Sequence, residues 1–394
     1  MKLSRRAAFA APLLLAPSTV RAADCAPRGT GDLGLIVERA AGSVLIVETT
    51  GRGILGRIEG LGDLSHAAAV YSPDQRHAFV FGRDGGLSKI DMLERRIAAR
   101  IVQAGNAIGG AISDDGQLIA VSNYEPGGIK VFDHQTLEPL HEVKAAYGDG
   151  EFSKTVGLVD IPGRRFLVSL FDAGEIWLID CSKPGEPAVE KIGQAGALPY
   201  DGYVTADGRH YLAGLFGEDG VAHVDLWKTP HTVARVLAGY GKGVEPLPVY
   251  KMPHFEGWGE AGREVVLPAV GRHEVLVADN ESFAETARIA VHGQPVFCVA
   301  QPGGRYVWVN FAPPNNDTLQ VIDMMTRQVV HEMKPGPAVL HIEFTPKGRE
   351  VWVSVRDAGR VDVYDTTSFA RLAEIPAQKP SGIFFTHRAN RIGA

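Results

Sequence analysis

The sequence is poor in the residues that most often announce chemistry. Its three cysteines, Cys25, Cys181 and Cys298, stand far apart. None belongs to the CxxCH motif that attaches a c-type haem covalently. HEVKA, HEVLV and HEMKP all lack the second histidine of a HExxH zinc pair. There is no GxSxG nucleophile elbow and no GxxxxGK(S/T) phosphate loop. Charge is nearly balanced, 40 Lys+Arg against 46 Asp+Glu, and forms no basic stripe, which excludes nucleic acid as a partner. Beyond the N-terminus no apolar run is long enough for a membrane helix or anchor. No linker or charge block divides the chain, so residues 23–394 are read as one domain. Function must then come from side chains that the fold itself gathers.

What is there is a repeat. The stretch from Leu64 to Asp91, LSHAAAVYSPDQRHAFVFGRDGGLSKID, reads as three short strands joined by the turns SPDQR and RDGG. The phrase returns in AISDDGQLIAVSNYEPGGIKVFD from Ala111 and in HIEFTPKGREVWVSVRDAGRVDVYD from His341, among others. Each copy ends on an acidic residue and is followed by a fourth apolar run. The period of about 45 residues suits four strands per propeller blade. Seven units cover Ser65 to about Ala377, and the flanks supply an eighth. LGLIVERAAGSVLIVETTGRGILGRIEG lacks a first strand, and SGIFFTHR is one orphan strand. The expected fold is all-β: an eight-bladed propeller of four-stranded blades, closed by pairing the N- and C-terminal strands, which removes free edges.

Residues 1–22 read as a signal peptide. Lys2, Arg5 and Arg6 precede the apolar AAFAAPLLLAPSTV, and VRA ahead of Ala23 suits cleavage. Arg5-Arg6 fits twin-arginine export as well as the ordinary route. The expected location is the periplasm. Cys25 follows Asp24 rather than a small residue, so it is not placed for lipid attachment. The compartment permits disulfides, but Cys181 and Cys298 fall blades apart, and the cysteines are read as free thiols.

In a propeller the first strand of each blade lines the central channel. His66 and His341 open first strands, Tyr200 precedes DGYV in a third, and His254 lies just before a fourth. The four are expected at equivalent positions around one mouth. Imidazole and phenolate both ligate haem iron, although any one histidine has a plain core or surface role as its alternative. Arg83 in FGRDGG and Arg356 in VRDAG end second strands and can grip carboxylates bidentately. For Arg83 the alternative is a turn pair with Asp84. His77, His134, His141, His210, His223 and His231 fall in turns or outer strands and are read as solvated.

From about Gly29 to Gly393 the chain resembles the cytochrome d1 propeller family, and within it the haem d1 biosynthesis proteins of denitrifying bacteria. RGTGDLGLIVERAAGSV, GLGDLSHAAAVYS, FGRDGGLSKIDM, SNYEPGGIKVFDHQTLEPL, GREVWVSVRDAG and KPSGIFFTHR carry the resemblance. It implies an eight-bladed ring with haem d1, or a d1 precursor, in its cavity. It implies His66 as the proximal iron ligand and Arg83 as the partner of a substrate carboxylate; Arg356, at the equivalent place in its own repeat, is read as a second cofactor-binding residue. Tyr200 stands where the related nitrite reductase has one distal histidine, and His254 keeps the other. His341 stands near a histidine of the related dihydro-haem dehydrogenase. His341, His254 and Tyr200 are therefore the candidate catalytic acids and bases. Both relatives carry a c-type cytochrome domain that has no match in this sequence.

The implied function is a late, dehydrogenase-like modification of a d1-type tetrapyrrole for assembly of cytochrome cd1 nitrite reductase. The alternatives are a non-catalytic carrier of the cofactor and a scaffold without ligand. Candidate partners are that reductase and the c-type dihydro-haem dehydrogenase, and a homodimer is a candidate assembly. On N-terminal sequencing the periplasmic protein should begin at Ala23. An intact Met1 in a cytoplasmic fraction would remove the leader reading.

Overall fold

The structure, a computed structural model, describes residues 29–241 and 258–393. Residues 1–22, Cys25 and His254 lie outside the described residues. The described chain forms eight four-stranded antiparallel sheets and one two-stranded hairpin. Blade 1 comprises Leu33–Glu38, Ser43–Glu48 and Gly53–Ile58, with Pro380–Phe385 as its innermost strand. Blade 2 runs from Ala68–Tyr71 out to Arg96–Val102, and blade 3 from Asn106–Ile112 to Pro139–Val143. Blade 4 runs from Thr155–Ile161 to Ala188–Gln194, and blade 5 from Pro199–Val204 to Val233–Val236. Blades 6, 7 and 8 start at Gly259–Ala261, Pro295–Ala300 and Val339–Phe344 and end at Glu285–Ala290, Gln328–Met333 and Arg371–Pro376.

The terminal acid of each repeat explains why every blade turns at the same place. Asp91 Oδ1 accepts the backbone N–H groups of Leu93 (3.0 Å) and Glu94 (2.9 Å). Asp133 does the same for Gln135 and Thr136, Asp279 for Glu281 and Ser282, and Asp365 for Thr367 and Ser368. These are Asx turns leading into the fourth strand. Blade 1 uses Glu48 instead, whose carboxylate takes the N–H groups of Gly51 and Gly53. Between the turns, middle strands such as Leu33–Glu38 and Gly86–Asp91 are buried on both faces, because each blade packs on two neighbours.

Ring closure occurs as expected. Gly34 faces Phe385 and Ile36 faces Ile383 across an antiparallel pair. A Cβ at Gly34 would overlap the Phe385 ring, which is why glycine stands there. Past the closing strand, the chain continues through Thr386–Asn390 across the lower end of the channel. Thr386 Oγ1 donates to the Thr30 and Leu33 carbonyls. Arg388 grips Glu343 of blade 8 with both arms of its fork (2.9 and 2.6 Å), and both side chains are buried. Gly393 N–H reaches the Asp160 carboxylate of blade 4 at 3.0 Å.

None of the six histidines read as solvated is fully exposed: His77, His134, His141 and His231 are partly buried, and two others are enclosed. His210 is 2% exposed, and its Nδ1 lies 2.9 Å from Nε2 of half-buried His223. The Phe283 ring from blade 6 covers both, at 5.1 and 4.7 Å between centroids. Cys181 and Cys298 are free, as expected, and both are buried.

Two outcomes follow from these contacts. Deleting Ser381 to Ala394 removes the closing strand and the floor, so the truncated protein should lose cooperative thermal unfolding; a melt like that of the full chain would refute the closure. Burial, then His210, holds His223 down at about 4, and burial holds His387 at about 4. Both rings stay neutral in the fold while the unfolded chain protonates them below about 6.5. Their stabilisation is whole above that pH and is lost as pH falls toward 4. The melting temperature should drop over that window, and His223→Asn with His387→Asn should flatten the drop.

Candidate functional site: the central cavity

Small side chains on the inner strands leave room in the middle of the ring. Ala67, Ala68, Gly109, Gly157 and Gly382 all line a central cavity whose open space is about 1160 Å³, mouth included. A Cβ at Gly109 would meet nothing within 4 Å, so that position opens onto empty space. At Gly157 the reverse holds: φ is +57° and a Cβ would run into the backbone of Gly202 in the next blade. The mouth of the cavity is bordered by the link into the inner strand of blade 2, at Ser65 and His66, and by Arg39 just after the second strand of blade 1. Its floor includes Arg388, which also borders a second, lower recess with Tyr71, Asp114, Asp160 and Arg391.

The structure brings His66, Tyr200 and His341 to this one cavity. It does not place them at equivalent positions. His66 lies in the turn before Ala68–Tyr71, at the rim and partly buried. His341 is the third residue of Val339–Phe344 and only 3% exposed. The reason is a register shift between Val339 and Ile342, where an extra residue bulges from the ladder. The bulge leaves His341 N–H to donate to Ser354 Oγ at 2.7 Å.

The neighbours of His341 fix its chemistry. Ile383 N–H, on the closing strand, donates to His341 Nδ1 at 2.9 Å. That lone pair is taken, so the neutral ring carries its proton on Nε2. Phe297 and Phe384 flank the imidazole at 5.9 and 5.4 Å. In this tautomer His341 is a proton donor, whereas an iron ligand needs a bare ring nitrogen.

Tyr200 sits across the ring in blade 5, inside an aromatic cage. Phe171 and Phe216 lie 6.0 and 5.8 Å from its ring. Tyr124 Oη donates to Tyr200 Oη at 3.2 Å. Burial is the main cause that raises the Tyr200 phenol above its usual range, so it stays protonated. Arg83 stacks over Tyr124, 5.5 Å from the ring centre. The turn pair considered for Arg83 does not form: Asp84 pairs with Arg100 at 2.9 Å and caps Gly86 N–H. Arg356 is instead held by its own neighbour, Asp357, through both nitrogens at 2.9 and 3.2 Å.

Sequence reasoning missed Arg39, Tyr124, Phe171 and Phe216. Arg39 lines the cavity and is half-buried. A signal was available: ERAAG places Arg39 one residue beyond a second strand, as VRDAG places Arg356. Laying the incomplete N-terminal unit over the last full repeat would have shown it.

Comparison with known proteins places these features in company. The model of the cytochrome D1 heme domain matches residues 28–389. A curated protein from Stutzerimonas stutzeri, Protein NirF, is 54% identical over 368 residues, covering 93% of this chain and 94% of its own. Its Pseudomonas aeruginosa counterpart is 55% identical over the same coverage. Among solved structures, the dihydro-heme d1 dehydrogenase NirN in complex with DHE superposes with a TM-score of 0.79 at 25% identity, covering 96% of this chain and 79% of that one.

Proposed function

Since the chain belongs to the cytochrome D1 heme domain family, we propose that it is a haem d1 biosynthesis protein that binds a d1-type tetrapyrrole in the central cavity and carries out a late modification there. The observation that carries this reading is the cavity itself. It sits on the ring axis, has small-residue walls, and is bordered by an imidazole on each side of the closing blade and a caged phenol opposite. Those residues fit the group. Flat walls of alanine and glycine accept a planar macrocycle, and Phe297 and Tyr200 offer ring faces. A bound d1 iron would supply a metal centre that one neutral imidazole can ligate.

His66, at the rim, would hold the iron in this reading, since His341 has its Nδ1 engaged by Ile383. His341 then holds a proton on Nε2 that it can give to a ring substituent. Tyr200, kept neutral by burial, is a second donor. His254 remains a candidate acid or base, and Arg83 and Arg356 candidate partners for the carboxylates of the ligand. The location that goes with this function is the periplasm. The partners are cytochrome cd1 nitrite reductase and the c-type dihydro-haem dehydrogenase.

Reconstitution with d1 haem tests the binding half. His66→Ala should shift the absorption bands of the bound haem and weaken binding while the fold survives. An unchanged spectrum would remove His66 from the iron. Incubating the purified protein with d1 precursors and following mass tests the catalytic half. Tight binding with no change of mass would make it a carrier instead.

A further inference from the structure

Three blades carry the same irregularity in their innermost strands. In blade 5, Pro199 pairs with Leu215 and Gly202 with Ala213, so Tyr200 and Asp201 stand against Gly214 alone. In blade 8, Val339 pairs with Val355 and Ile342 with Val353, so Leu340 and His341 stand against Ser354. Blade 4 repeats the pattern between Val156 and Val159, with Gly157 and Leu158 as the extra pair. Each is a bulge of two residues against one, which re-aims side chains that a regular ladder would fix. All three pairs line the central cavity. In this register Asp201 of blade 5 takes the place that His341 takes in blade 8.

Asp201 is half-buried, and it is the one carboxylate among the described residues that line the cavity. Its backbone is pinned where blades 4 and 5 meet. A Cβ at Gly157 would come to 2.9 Å from the Asp201 carbonyl carbon, and a Cβ at Gly202 to 2.6 Å from the Gly157 carbonyl oxygen. Main chain lies against main chain there, so the bulge is held in one register. The titratable side chains of the lining then divide by what each does with a proton. His341 accepts Ile383 N–H on Nδ1 and carries its own proton on Nε2, so it donates. Burial first, then Tyr124 and the charge of Asp201, hold the Tyr200 phenol above its usual range, so it donates as well. Arg39 and Arg388 have donors only. His66 is assigned to the iron in the reading above. An ionised carboxylate accepts and has nothing to donate.

Building on the tetrapyrrole reading above, we propose that Asp201 is the base of the cavity, taking a carbon-bound proton from the ligand while Tyr200 beside it and His341 across the ring donate hydrogen bonds to the oxygens on which the charge gathers. The class of substrate follows from the chemistry. It is a macrocycle whose C–H bond is conjugated with a carbonyl or carboxyl group, since only such a bond gives up a proton to a carboxylate. The C–H bond breaks, its electron pair stays on the ligand, and the proton goes to a carboxylate oxygen of Asp201. No oxidant or reductant is consumed. The conjugated ring carries the charge from the side of blade 5 to the side of blade 8, where fixed donors meet it at no cost of reorganisation. Return of the proton to a different carbon is an isomerisation, and return to the same carbon is exchange with solvent.

Hydrogen exchange tests this without waiting for the net reaction to be identified. The full chain is incubated in deuterium oxide with dihydro-haem d1, the pigment is returned to water to strip label from nitrogen and oxygen, and its mass is read. Carbon-bound deuterium should appear faster with the protein than without it. Asp201→Asn should slow that uptake roughly 100- to 10,000-fold, the range of general base catalysis. The same variant should bind the pigment at least as tightly as the wild-type chain in an absorbance titration, because it removes a negative charge from a cavity that takes an acidic ligand. Asp201→Glu keeps the carboxylate but displaces it by one methylene, and its uptake should fall between. It also serves if Asp201→Asn does not fold, since uptake at the wild-type rate in Asp201→Glu would overturn the placement. Wild-type uptake in a folded Asp201→Asn, or a wild-type chain that binds the pigment without speeding its uptake, overturns this inference alone. Failure of the wild-type chain to bind the pigment overturns the tetrapyrrole reading as well.

Discussion

The innermost strand of each blade has a sheet neighbour on one side only. On its other side the backbone faces the channel or the next blade, and its N–H and C=O groups must be satisfied there without another strand. This constraint shapes the centre of the molecule. Tyr71 Oη donates to the Phe384 carbonyl at 2.6 Å, joining blade 2 to the closing strand. Asn310 reaches the Val339 and Leu340 carbonyls of blade 8, and Thr155 of blade 4 binds the Asn123 and Gly128 carbonyls of blade 3. Tyr211 spans from blade 5 to Gly157 of blade 4. Each link is a side chain from one blade meeting backbone of another. The seams are thereby fixed by polar contacts as well as by apolar packing.

His341 belongs to this set as much as to the cavity. The same hydrogen bond that satisfies Ile383 N–H decides which ring nitrogen holds the proton. Structural need and chemical form are thus tied in one residue. The cavity's width has a similar double origin. Gly157 is glycine because the backbone of Gly202 comes close, and its lack of a side chain also keeps the wall low.

The propeller was legible in the sequence because its punctuation is local. An acid that caps its own turn, and glycines where φ turns positive, recur from unit to unit whatever the neighbours do. Ring closure was legible because SGIFFTHR had no other partner. The depth of His66 against His341 was not, since a bulge adds one residue to a strand without changing its composition. Nor was the burial of His210 and His223, which depends on Phe283 from the adjacent blade. The different settings of Arg83 and Arg356 were hidden for a related reason. Each sits next to an aspartate, yet Asp84 turns to Arg100 and Asp357 turns to Arg356.

The chain segment past the closing strand has a mechanical meaning. Thr386–Asn390, anchored through Arg388 on Glu343, and Gly393 on Asp160 tie the closing strand of blade 1 to blades 8 and 4. Such a segment acts as a tie beam: a load that would spread one seam of the ring is shared with a blade far around it.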